Sequence, residues 1–195
     1  MVRTFIVYVA DHPGVLNRVS SLFRRRGYNI ESLTVGHTQV PAVSRMTVAV
    51  TIDERGAPLV RANLYKLAEV LNVEDITHVP AFHREMVLLK VAASQKTQSE
   101  LMRVLEAFRA RVLEISIESL VIEATGPEEE IDNLVEALRP FGILEMTRTG
   151  SVAMKRGSAQ VLKRHSTSDA KSSSRTLPNE LSIIASQSGH MRTEN

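Results

Sequence analysis

The 195-residue chain contains no cysteine and no tryptophan, and aromatic residues make up only 4% of it. Without cysteine there are no disulfides, no thiolate zinc sites and no cysteine nucleophile, and such a chain fits a reducing compartment. No stretch approaches the ~20 consecutive apolar residues of a membrane span. Neither charge sign dominates: 24 Lys and Arg against 22 Asp and Glu leave +2, which does not suggest a nucleic-acid or membrane partner. The few aromatics also weigh against a sheet that stacks RNA bases. Glycines 14, 27 and 36 are scattered and form no phosphate-cradling loop, and nothing resembles a nucleophile elbow. Six histidines supply no His-x-x-x-His or Glu-x-x-His pair on a predicted helix, so no metal site is expected. Met1-Val2-Arg3 runs straight into a predicted strand and leaves no room for a targeting peptide, so the expected location is cytoplasmic.

What the chain does contain is concentrated at Asp11-His12-Pro13-Gly14-Val15-Leu16. The run before it, Phe5 to Ala10, is short, apolar and β-rich, as in a strand buried on both faces. After it, Val15, Leu16, Val19, Leu22 and Phe23 share one helical face. Arg24, Arg25 and Arg26 complement the negative end of that helix, and Gly27 suits its C-terminal cap. The loop therefore brings free backbone N–H groups, the positive end of a helix dipole and the Asp11 carboxylate to one place. Those are the groups a small zwitterion requires: donors for its carboxylate and an acceptor for its ammonium. A plain strand–helix turn, with Asp11 as cap and Gly14 easing the bend, explains the same residues.

Two further strands are expected over 29–35 and 43–52. A helix from Pro58 carries Val60, Leu64, Leu67, Ala68 and Leu71 and closes at Asn72, before a strand over 73–79. The second half repeats the order. A strand covers 86–92, and Thr97-Gln98-Ser99-Glu100 reads as a capping box before Leu101, Val104, Leu105 and Phe108. A hairpin spans 112–117 and 120–124. A helix follows Gly126-Pro127, its acidic first turn Glu128-Glu129-Glu130 stabilising the dipole rather than catalysing. It stops at Pro140, and a strand begins at Ile143. The class is α+β: two ferredoxin-like βαββαβ domains, residues 1–80 and 84–157, joined near Pro80–Arg84. Residues 155–195 hold seven Lys or Arg against three Asp or Glu, a net +4 that leaves −2 for the rest. With Ser172-Ser173-Ser174 and few large apolar residues, 158–195 is expected to be a disordered basic tail.

Asn29 and Ile30 leave the first helix at the end opposite Asp11, roughly 20 Å away at ~1.5 Å per residue. Within one subunit the two cannot share a ligand; across a two-fold axis they can. Asn29 as a simple turn terminator is the alternative.

Residues 1–157 resemble the small regulatory subunit of acetohydroxyacid synthase (acetolactate synthase). The similarity lies in Asp11-x-x-Gly14-Val15-Leu16, the long block Arg25-Arg26-Gly27-Tyr28-Asn29-Ile30-Glu31-Ser32-Leu33-Thr34-Val35-Gly36, Ser44-Arg45-Met46-Thr47, Arg84-Glu85-Met86 and Arg148-Thr149-Gly150-Ser151-Val152-Ala153-Met154. The first half is similar to an ACT domain, an amino-acid-binding ferredoxin-like module. The resemblance implies a non-catalytic chain that forms a homodimer through its ACT domains. It also implies activation of a catalytic large subunit and feedback inhibition by a branched-chain amino acid, valine before leucine or isoleucine. The implied effector site is Asp11, Gly14 and Val15 of one chain with Asn29 and Ile30 of the other; some members have Asn at position 11. Thiamine diphosphate, magnesium and flavin belong to the large subunit, and no cofactor or metal is expected in this chain. The competing readings are an autonomous ferredoxin-like enzyme and a stand-alone ACT regulator, the latter disfavoured by the lack of a helix-turn-helix region.

Overall fold

The computed structural model describes residues 1–157. The expectation of a disordered tail over 158–195 lies outside the described residues.

The elements run β1 (Val2–Ala10), α1 (Val15–Arg25), β2 (Asn29–His37), β3 (Val43–Thr51), α2 (Gly56–Leu64) and β4 (Val70–Asp75). They form an antiparallel sheet of order β2-β3-β1-β4. Then follow β5 (Ala81–Ala92), α3 (Gln98–Ala107), β6 (Arg111–Ile115), β7 (Ser119–Gly126), α4 (Glu128–Leu138), a 3-10 turn over Arg139–Phe141 and β8 (Ile143–Arg148). This second sheet has the order β6-β7-β5-β8, the first sheet's topology again. Both halves are thus the ferredoxin-like α+β arrangement expected from the element order.

Each sheet buries one face under its helices. Phe5, Val7 and Val9 of β1 and Val48 and Val50 of β3 meet Val19, Leu22 and Phe23 of α1 and Val60 and Leu64 of α2. Val87, Leu89 and Val91 of β5 do the same with Leu101 and Leu105 of α3 and Ile131, Leu134 and Leu138 of α4. Truncating a side chain such as Phe23, fully buried, would cost about 3–5 kcal/mol.

The far face of β1 is buried too. Ile6 and Tyr8 pack with Val43, Ile76 and Ala153. Ala153 belongs to β9 (Val152–Lys155), which pairs with the first four residues of β5. Residues 81–84, expected as a connection, are therefore strand.

Two local expectations change. The second helix ends at Leu64 rather than near Asn72, because β1 needs a partner on its free edge. Val7 pairs with Val73 and Tyr8 with Asn72, while Tyr65 Oη accepts the Val73 N–H at 3.1 Å. The capping box at Thr97 does not form. Thr97 already has helical dihedrals and no side-chain cap, and the chain turns instead at Ser94, whose carbonyl accepts the Gln98 N–H at 3.0 Å.

Candidate functional site

The loop between β1 and α1 is held from both sides. The Asp11 N–H donates to Ala42 O at 2.8 Å and the His12 N–H to Ala10 O at 3.0 Å. Gly14 is the N-cap of α1 with φ +85, a left-handed conformation that glycine adopts at little cost. The side-chain cap offered by the plainer reading is absent: no side chain caps this helix. Among the described residues, no acceptor takes the amides of Gly14, Leu16 and Asn17, the orphan donors of a helix start. A Cβ added to Gly14 would meet nothing within 4 Å, so the space beside Gly14 is open.

Asp11 is half-exposed, and its carboxylate pairs with His37 Nδ1 at 3.3 Å. His37 ends β2, so that end of the edge strand lies beside the loop. Val15 is 5% exposed and packs into the first core, whereas Leu16 is 45% exposed. The loop's accessible apolar side chain is therefore Leu16, which the site implied by the family resemblance, with Val15 in its place, does not include.

Asn29 and Ile30 begin β2, opposite Thr51 and Val50 of β3. Asn29 Nδ2 donates to Glu31 Oε1 at 2.7 Å, and Thr51 Oγ1 donates to the same oxygen at 2.9 Å. These bonds, Asn29's first and Thr51's second, hold the Glu31 carboxyl below its ordinary value. A carboxylate only accepts, so Glu31 fixes the amide orientation and leaves Asn29 Oδ1 as an outward acceptor. Ile30 is half-buried against the first core.

Within one chain these groups are not together. Asp11, Gly14 and His37 sit at one end of α1 and β2, and Asn29 and Ile30 at the other. The eleven residues of α1 span about 16 Å at ~1.5 Å each. Among the described residues no three His, Asp or Glu side chains gather as a metal site, and no helix is long and apolar enough to cross a membrane.

A family model for the AHAS small subunit-like ACT domain matches residues 5–72, spanning both ends of this site. A second model, for the small subunit of acetolactate synthase, matches residues 84–157. The acetolactate synthase small subunit of Bacillus subtilis (strain 168) is 42% identical over 161 residues, covering 82% of this chain and 94% of the relative. The chain belongs to the acetolactate synthase small-subunit family. The small subunit of Mycobacterium leprae (strain TN) is 44% identical over 155 residues, covering 80% of this chain and 92% of its own. The crystal structure of the Thermotoga maritima acetolactate synthase small subunit superposes with a TM-score of 0.76 at 34% identity. It covers 82% of this chain and 99% of that one. Family membership thus extends over both ferredoxin-like halves, including the Asp11–Val15 loop and the Asn29–Ile30 end of β2.

Proposed function

We propose that this chain is the non-catalytic regulatory subunit of an acetolactate synthase, raising the activity of a catalytic large subunit and transmitting inhibition by valine. Thiamine diphosphate, magnesium and flavin are then held by the large subunit. The observation that supports an effector site is the set of unpartnered amides at Gly14, Leu16 and Asn17 beside the Asp11 carboxylate. An amino-acid carboxylate takes the amides; its ammonium takes Asp11 and, from a second chain, Asn29 Oδ1.

The second chain is supplied by symmetry. β2 is an edge strand of the first sheet. A two-fold axis through Leu33, its middle residue, runs β2 antiparallel to its copy. Asn29 of one chain then lies opposite His37 of the other, next to that chain's Asp11. The dimer brings together what a single chain holds apart, twice per pair. Ile30 and the exposed Leu16 flank the effector's side chain.

Assaying purified large subunit with and without this chain, titrated with each branched-chain amino acid, tests the reading. Activation by the chain together with valine-dependent inhibition is the expected result. Turnover by the chain alone would favour an autonomous enzyme, and amino-acid binding without any effect on the large subunit would favour a stand-alone regulator.

A further inference from the structure

The ribbon formed by β9 and the first residues of β5 has two unlike faces. Ala81, His83, Ala153 and Lys155 alternate with Phe82, Arg84, Val152 and Met154 in a register that pairs Phe82 with Met154 and Arg84 with Val152. Ala81 and Ala153 pack on the first sheet, and Lys155 Nζ pairs with Glu74 Oε2 at 2.5 Å. The other face points away. Phe82 and Val152 are each 47% exposed and Met154 68%. Single exposed apolar residues are ordinary, but three on one face of a ribbon of four residue pairs form a patch. Its rim is cationic. Arg156 stacks over the Phe82 ring at 4.4 Å, and Arg84 Nη1 donates to its neighbour's carbonyl, His83 O, at 2.8 Å. Among the described residues neither guanidinium has a carboxylate within 4.0 Å.

We infer that this face docks the catalytic large subunit, through an apolar segment of that subunit flanked by carboxylates; the inference rests on the reading of the chain as a small subunit. Charge selects the occupant. A second copy would set its own Arg84 and Arg156 against the first pair, and like charges at an interface repel. Residues 158–195 carry five Lys or Arg against three Asp or Glu, again the same sign. A surface that gives carboxylates to both guanidinium groups and apolar contact to Phe82 and Met154 meets both needs, the first in the bidentate geometry that arginine favours.

The position of the ribbon links docking to the effector strand. The Ser151 N–H donates to Ser32 Oγ at 3.0 Å, Thr34 Oγ1 donates to Ser151 O at 3.1 Å, and Arg45 donates to Ala153 O. Ser32 and Thr34 lie on β2, so a ligand at Asn29–Ile30 and a partner on the ribbon bear on the same strand.

The test is activation of the large subunit by the full-length chain. Arg84→Glu with Arg156→Glu is expected to raise the chain concentration for half-maximal activation at least tenfold, with valine binding to the free chain unchanged by calorimetry. Arg84→Glu alone, which disturbs no contact between elements, is expected to raise it at least threefold. Phe82→Ser with Met154→Ser should match the double reversal but without its salt dependence. Activation by the reversed variants equal to wild type overturns the inference. So does a defect that coincides with loss of the chain's own dimer in sedimentation, which assigns the face to a second copy. A defect reproduced by deleting 158–195 also overturns it and assigns the face to the tail. If the wild-type chain neither binds nor activates the large subunit, the small-subunit reading fails first and the docking face falls with it.

Discussion

Ser151 donates its backbone N–H to Ser32 Oγ at 3.0 Å, tying the end of the second half of the chain to the edge strand that begins with Asn29 and Ile30. The approach depends on the residue before it. Gly150 has φ +76, and a Cβ there would collide with Ser32 Oγ and touch Thr34 Cγ2 at 3.6 Å. A strap closed by two hydrogen bonds and a glycine is a short path between the two domains.

Gly150→Ala is therefore expected to lower stability by about 1–3 kcal/mol, combining a left-handed conformation unfavourable to alanine with the collision. In the reconstituted enzyme it should weaken valine inhibition more than valine binding. Urea unfolding and parallel binding and inhibition titrations read both effects. An unchanged unfolding midpoint would contradict the packing argument.

Arg148 joins β8 to β5 and α4. Its Nε and Nη2 donate to the two oxygens of Glu85 at 2.8 Å each, and its Nη1 donates to Asp132 at 2.7 Å. The Glu85 side chain is only 7% exposed. Arg148→Met strands that carboxylate and should cost about 3–5 kcal/mol. Asp132 is 54% exposed, so Asp132→Asn should cost under about 1 kcal/mol. Chemical denaturation of the two variants checks the ranking, and equal losses would refute it.

Acid should act through Asp75. Burial pushes its carboxyl up, but the hydroxyl and N–H of Thr77 and the Arg3 guanidinium outweigh that, so it lies below 3.8. A folded-state value below the unfolded one contributes stability that is present above 3.8 and lost as pH falls through the folded value. The stability difference between wild type and Asp75→Asn is expected to be constant from pH 7 to 5 and to shrink below pH 4. A difference independent of pH would contradict this.

The side chain of the effector should matter through Ile30 and Leu16. Each methylene withdrawn from water contributes about 0.8 kcal/mol, so valine should bind more tightly than alanine by roughly 1–3 kcal/mol. Calorimetry with both amino acids measures it, and equal affinities would count against a shaped apolar pocket.

Much of this was legible in residue patterns, for physical reasons. α1 announced itself because Val15, Val19, Leu22 and Phe23 keep helical spacing and all are buried, with cations and Gly27 closing the helix. The expected second helix runs past Leu64 because Leu67 and Leu71 continue its periodicity. Only the demand of β1 for a partner assigns Val70–Asp75 to a strand. β9 leaves no local signal, because four residues carry no usable periodicity and their partners lie 68 positions away for Arg84 and Val152 to 74 for Ala81 and Lys155. At the site, the sequence marked Asp11, Gly14 and Asn29 by residue type. That Val15 turns inward while Leu16 stays exposed follows from the spacing Val15 shares with Val19, Leu22 and Phe23; that Glu31, held by Thr51, orients Asn29 depends on β2 and β3 being paired, which no local pattern encodes.

The central claim, that each effector site is shared between two chains, is tested most directly by mixing subunits. Gly14→Asp places a carboxylate where the effector's carboxylate would sit, in open space and at a left-handed position that strains Asp less than most side chains. Asn29→His removes the acceptor contributed by the other chain. Each variant alone should still activate the large subunit but lose valine inhibition. In a mixed dimer one site combines both changes and the other is intact, so an equimolar mixture, dissociated and reassociated, should regain valine sensitivity in part. If the mixture stays as insensitive as either variant, or if Gly14→Asp alone keeps full sensitivity, the shared site is wrong.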